Sequence, residues 1–298
     1  MIESAGAARF EDGYLTVRDG LKLHYRDYAG AANNPPLLCL HGLTRNARDW
    51  TEFAERYAPR FRVLVPEFRG RGASGYDPDP SRYNPLVYAG DLIELLDQLG
   101  IDHAIFAGTS LGGLVTMTTA AATPHRIAAA ILNDIGPDVD PGGVGRILTY
   151  VGKDLRFKSW DDAANVIAAN YGASFDRYTH EDWVKMAKRN CREEKGEIRF
   201  DYDMAIAEPF KTTGPTPHVD LWPFFSVLAQ KPLLVVRGAK SDLLTANTAA
   251  RMQMVAPNMR LAVVPGVGHA PELNEPEAIE AIDEFLTSLT FNTKLQPS

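Results

Sequence analysis

Short apolar runs alternate along this chain with stretches whose apolar residues recur every three or four positions. That rhythm predicts strands followed by helices. Two polar-flanked alternating segments come first, Tyr14 to Arg18 and Lys22 to Asp27, with Asp19-Gly20 between them as a hairpin signal. The runs Pro36 to Leu40 (PLLCL) and Arg62 to Pro66 (RVLVP) read as buried strands. Leu86 to Leu99 reads as a helix, His103 to Ala107 as a strand, and Leu111 to about Ala122 as a helix. The strand Ala128 to Leu132 then stops at Asp134-Ile135-Gly136-Pro137. The rhythm resumes at Pro232 to Arg237, followed by a helix from about Thr245 to Val255 and a strand from Leu261 to Val264. The last helix runs from Glu275 to about Leu289, with Pro276 in its first turn.

Between about Pro137 and Thr213 the pattern offers helix-like stretches and no convincing strand. The mixed-sign run Lys185 to Glu197 (KMAKRNCREEKGE) reads as a solvated helix face and a turn. Strands alternating with helices imply an α/β fold with a parallel sheet covered on both faces. Residues 1–136 and 214–298 are therefore expected to build one core, and 137–213 an inserted helical cap.

Composition narrows the class. The 298 residues are 45% hydrophobic and 23% charged, near the averages of soluble globular proteins, and are enough for a full buried core. The formal charge of −7 argues against a nucleic-acid partner, which calls for a basic face. Cys39 and Cys191 are too few for a cysteine metal site or a disulfide framework. The first ten residues lack the apolar core of a signal peptide, and no run of about 18 apolar residues occurs. The expectation is a cytoplasmic enzyme or binding protein with no membrane partner. Its oligomeric state is not legible.

The chemistry concentrates just past strand ends. Gly108-Thr109-Ser110-Leu111-Gly112 is Gly-x-Ser-x-Gly between a strand and a helix. A serine on so tight a turn needs strained backbone angles, and glycines two residues either side relieve the crowding. His269, between Gly268 and Pro271, follows the strand Leu261 to Val264 and is the candidate base. Histidine titrates near neutrality, so it can take the serine proton and return it to a leaving group. Asp242, after the strand Pro232 to Arg237, is the expected carboxylate, and Asp134 is the alternative acid. The backbone N–H groups of Leu111 and Leu43 are the expected oxyanion donors. His41 reads as a residue orienting the loop that carries Leu43. His24, His103, His125, His180 and His218 read as surface, strand-edge or lid residues, His218 being the best placed to line a pocket. Arg45, Asn46 and Arg69 lie in loops on the same edge, where substrate contact and loop bracing are both open readings.

Five motifs carry a resemblance: His41-Gly42, Arg69-Gly70-x-Gly72-x-Ser74, Gly108-x-Ser110-x-Gly112-Gly113, Gly238-x-x-x-Asp242 and Gly268-His269-x-Pro271. With them the chain resembles the α/β-hydrolase superfamily, in its cap-containing serine hydrolase branch, over about Tyr14 to Leu289. The resemblance implies an eight-stranded, mostly parallel sheet and a catalytic triad of Ser110, His269 and Asp242 that uses no cofactor or metal. Relatives that open epoxides or remove halogens place Asp at the nucleophile, and Ser110 argues against both activities. Leu43-Thr44-Arg45 stands where carbon–carbon bond hydrolases usually carry a second glycine, which weighs against that activity.

The reading that results is hydrolysis of a carboxylic ester or lactone of a small, largely apolar molecule through an acyl-enzyme. Carbon–carbon or thioester cleavage by the same groups is the alternative. A non-catalytic receptor on a hydrolase scaffold is the outsider, because binding alone needs no ordered base and acid.

Overall fold

The structure, a computed structural model, describes residues 9–211 and 219–291. The chain begins with strands β1 (Phe10–Thr16), β2 (Lys22–Tyr28) and β3 (Leu37–Leu40), then helix α1 (Thr51–Tyr57) and strand β4 (Val63–Pro66). Helix α2 (Pro85–Gln98), strand β5 (Ala104–Thr109), helix α3 (Leu111–Ala122) and strand β6 (Ile127–Asn133) follow. A long insertion comes next. It holds helix α4 (Pro141–Leu148), strand β7 (Arg156–Phe157), helices α5 (Trp160–Tyr171) and α6 (His180–Asn190), and strands β8 (Cys191–Glu194) and β9 (Glu197–Phe200). Helix α7 (Trp222–Leu228) leads back to strand β10 (Leu233–Gly238), helix α8 (Ala246–Val255), strand β11 (Arg260–Val264) and helix α9 (Pro276–Ser288).

The main sheet has eight strands in the order β1-β2-β4-β3-β5-β6-β10-β11. The β1–β2 and β2–β4 pairs are antiparallel and the others parallel. The hairpin expected at Asp19-Gly20 joins β1 to β2, with Gly20 at φ +89°. The central strands read as unbroken apolar runs because both their faces are buried. Leu38, Leu40, Leu64, Phe106 and Leu132 face one core, under α2, α3 and α8. Leu37, Cys39, Val63, Val65, Ile105 and Ile131 face the other, under α1 and α9. Each fully buried Leu, Val or Ile stabilises the fold by about 1.5–3 kcal/mol relative to exposure.

The insertion corrects one expectation, since it contains strands. β7, β9 and β8 form a three-stranded antiparallel sheet. The run read as a solvated helix face and turn is α6 followed by a hairpin. Its two-residue turn is Lys195-Gly196, both at positive φ (+55° and +80°). Such a turn matches the twist of the flanking strands, but Lys at its first position gives little warning of it. Buried Cys191, Ile198 and Phe200 anchor this small sheet.

The insertion is tied down on several sides. Arg48 donates to the carbonyls of Arg189 and Cys191 and to the Asp201 carboxylate (2.7 Å). Gly72 N–H donates to the Asp201 carbonyl, and Gly268 N–H to the Ser174 carbonyl. Among the described residues, no helix is long and apolar enough to cross a membrane.

Candidate active site

Ser110 sits between β5 and α3 at φ +52°, ψ −114°, a region costly for any residue with a Cβ. Its surroundings hold it there. Ser110 N–H donates to the Asn133 carbonyl, and the Ser110 carbonyl accepts from Gly113 and Leu114. The flanking glycines are required sterically. A Cβ on Gly108 would lie 2.5 Å from the Gly112 carbonyl, and one on Gly112 would lie 2.2 Å from the carbonyl oxygen of Leu40. Strand, turn and helix can approach this closely only without those side chains.

His269 lies beyond the end of β11, with its ring bridging two groups from other strands. Nε2 is 2.9 Å from Ser110 Oγ, and Nδ1 is 2.8 Å from Asp134 Oδ2. The expectation that Asp242 faces this histidine is corrected here, because Asp134 occupies that place. The reason is register. β6 pairs in parallel with β10, Asn133 opposite Val236, so the next residue on β6 arrives beside Gly238. Asp134 N–H donates to the Val236 carbonyl, and Asp134 Oδ1 accepts from Gly238 N–H (2.8 Å). Its side chain is fully buried.

Asp242 instead turns to the insertion. Its two oxygens grip Nε and Nη2 of Arg146 at 2.5 and 2.9 Å. Burial alone would raise its pKa, but the bond to Arg146 prevails and holds it below the ordinary range. Ser241, which no motif singles out, donates its hydroxyl to Asp134 Oδ2 (2.6 Å) and accepts from the N–H groups of Leu243 and Leu244. The loop after β10 therefore reaches the histidine's carboxylate through Ser241.

The expected oxyanion donors flank the serine. Leu111 opens α3, where first-turn N–H groups have no intrahelical partner. The loop after β3 passes so close that a Cβ on Gly42 would stand 3.8 Å from Ser110 Cβ. Among the described residues neither Leu43 N–H nor Leu111 N–H is engaged by another protein group. His41 braces this loop. Its Nδ1 is 2.8 Å from the Gly42 carbonyl, so that nitrogen carries the proton, and its Nε2 accepts from Phe68 N–H at 3.1 Å.

The His41 ring is buried, and burial pushes its pKa down to about 4. The unfolded chain binds this proton near pH 6.5, and the folded chain does so only near 4. Stability is therefore full above about pH 6.5 and falls as pH drops through that window, by on the order of 3 kcal/mol from this group. Urea unfolding of wild type and His41→Gln at pH 7 and pH 4.5 checks this. The stability lost on acidification should be smaller in the variant.

Ser110 and His269 open into a pocket whose wall also includes Arg45, Asp49, Tyr150, Tyr171, Arg189 and Glu272. The charged members of this wall arrive from the segment between β3 and α1 (Arg45, Asp49), from α6 (Arg189) and from the loop after His269 (Glu272). Arg45, one of the residues proposed to touch substrate, does line the pocket. Asn46 does not. It is fully buried, its Oδ1 caps the following turn by accepting from Arg48 N–H, and its Nδ2 donates to the Arg189 carbonyl. Arg69 is buried among Asp91, Asp77 and Asp19 and braces its loop. His24, one of the histidines read as surface, strand-edge or lid residues, lies in β2 and is buried between Glu67 and Asp12. His218 lies outside the described residues.

A strand–serine–helix turn, a histidine bridging that serine to a carboxylate, and an eight-stranded sheet beneath them define the class of protein. The chain belongs to the alpha/beta hydrolase family, whose model matches residues 37–282. It is 33% identical over 274 residues to a 3-hydroxybutyrate-oligomer hydrolase of Cupriavidus necator, covering 89% of this chain and 93% of that protein. It is 27% identical over 258 residues to a 2-(acetamidomethylene)succinate hydrolase of Mesorhizobium japonicum, covering 85% and 88%. Among solved structures, it resembles an alpha/beta hydrolase from Novosphingobium aromaticivorans with a TM-score of 0.90 and 50% identity, covering 95% of this chain and 100% of that one.

Proposed function

We propose that this enzyme hydrolyses carboxylic esters through an acyl-enzyme on Ser110. The observation that carries the proposal is the bridging geometry of His269, 2.9 Å from the serine oxygen and 2.8 Å from Asp134. His269 takes the Ser110 proton as Oγ attacks the ester carbonyl, then gives it to the departing alkoxide. Asp134 fixes the tautomer that leaves Nε2 free to accept, and stabilises the imidazolium. Leu43 and Leu111 N–H groups hold the oxyanion. Water, activated by the same histidine, then releases the acid. Ester cleavage is favoured by the relative that acts on 3-hydroxybutyrate oligomers.

In this reading residues 137–213 act as a lid. They supply Ile147, Tyr150, Tyr171 and Arg189 to the lining of the pocket that holds Ser110. Treatment with a fluorophosphonate, followed by peptide mass spectrometry, should place the adduct on Ser110. Labelling confined to another residue would refute the assignment.

A further inference from the structure

Esters themselves are neutral, and a site built only for the ester group has no use for half-buried cations. Ligand pockets are usually apolar with a few placed polar groups. Here two arginines, Arg45 and Arg189, line the pocket. Arg45 donates through Nη1 alone, to Asp49 (3.1 Å) and Asn190 (3.2 Å), while its Nε and Nη2 are engaged by no protein group among the described residues. Arg189 is held by Glu272 through Nη2, and its Nε is buried without an acceptor. Between them and α4, the Tyr171 hydroxyl donates to that of Tyr150 (2.7 Å), which leaves the Tyr150 proton free to donate. The Arg45 guanidinium lies 5.6 Å from the Tyr171 ring centroid. A buried donor without an acceptor, as Arg189 Nε is, is costly and uncommon. All four residues line the cavity that holds Ser110.

We infer that the pocket takes esters bearing a free carboxylate, which Arg45 and Arg189 bind together with the Tyr150 hydroxyl. The guanidinium fork fits a carboxylate edge-on, and a hydroxyalkanoate oligomer presents one at its chain end. Asp49 and Glu272 aim the two arginines and keep the empty pocket close to neutral. The inference rests on the acyl-enzyme reading of Ser110.

The test compares cleavage of the internal ester in the 3-hydroxybutyrate dimer and in its primary amide, the same molecule with its carboxylate neutralised. Wild type should show kcat/KM about 10- to 100-fold higher for the acid, as expected for charge-assisted hydrogen bonds. Arg45→Gln should cut that ratio severalfold, and Arg45→Lys should keep more of it. A merely structural arginine would lower both rates alike and preserve the ratio, which would overturn the inference. Should Arg45→Gln not fold, the wild-type ratio decides, together with Tyr150→Phe, which should raise KM for the acid more than for the amide. Equal wild-type rates, zero included, with Ser110 still labelled by fluorophosphonate, would overturn the carboxylate site alone. Cleavage of neither substrate without labelling would overturn the ester-hydrolase reading as well.

Discussion

Asp134→Asn lowers kcat for ester hydrolysis by about 10³- to 10⁴-fold, the scale expected when a triad histidine loses its orienting carboxylate. Asp242→Asn leaves kcat within about fivefold, since it removes only a partly exposed ion pair worth about 1 kcal/mol or less. The contrast follows from geometry. Asp134 is fully buried and 2.8 Å from His269 Nδ1. Asp242 is 38% exposed at its side chain and committed to Arg146. An amide at 134 can also present its NH₂ to the histidine, which favours the wrong tautomer. Steady-state rates of the two variants on one chromogenic ester, with circular dichroism to confirm folding, measure this. A collapse in Asp242→Asn with Asp134→Asn near wild type would reverse the assignment.

Ser110→Ala lowers kcat by about 10⁵- to 10⁶-fold with little change in stability, because the backbone strain stays. Ser110→Gly is equally inactive but more stable by about 1 kcal/mol, since glycine tolerates φ +52°, ψ −114° without a Cβ clash. Urea unfolding of the two variants and wild type reads the difference. A Gly variant less stable than the Ala variant would show that the turn stores no strain. The expectation belongs to a general pattern in which catalytic positions give up stability for geometry.

Much of this was legible in the chain. From β2 onward the sheet strands, with α2, α3, α8 and α9, fall within one or two residues of where the apolar runs place them, whereas β1 begins four residues before the expected segment and α7 was not expected. Gly108-x-Ser110-x-Gly112 marks the turn because only small residues let β5, β3 and α3 approach so closely. His41 reads correctly as a loop brace rather than a base. Which carboxylate faces His269 was not legible, because Asp134 and Asp242 both follow parallel strands at the same sheet edge. Only the β6–β10 register and the Ser241 contact separate them. The β8–β9 hairpin escaped because Lys195-Gly196 is a weak turn signal amid mixed charges. Helix α1 gave no clear periodic signal over its seven residues. The polarity of the pocket was hidden for another reason: its charged residues come from three segments at least 83 positions apart, and their convergence is a property of the fold.

The central claim is that Ser110 becomes acylated during turnover. Wild type mixed with a short p-nitrophenyl ester, acid-quenched within the first turnover and digested, should yield the acyl group on the peptide containing Ser110, and the adduct should vanish in Ser110→Ala. Rapid release of p-nitrophenol with Ser110 unmodified at every quench time, and undiminished turnover in Ser110→Ala, would contradict the account.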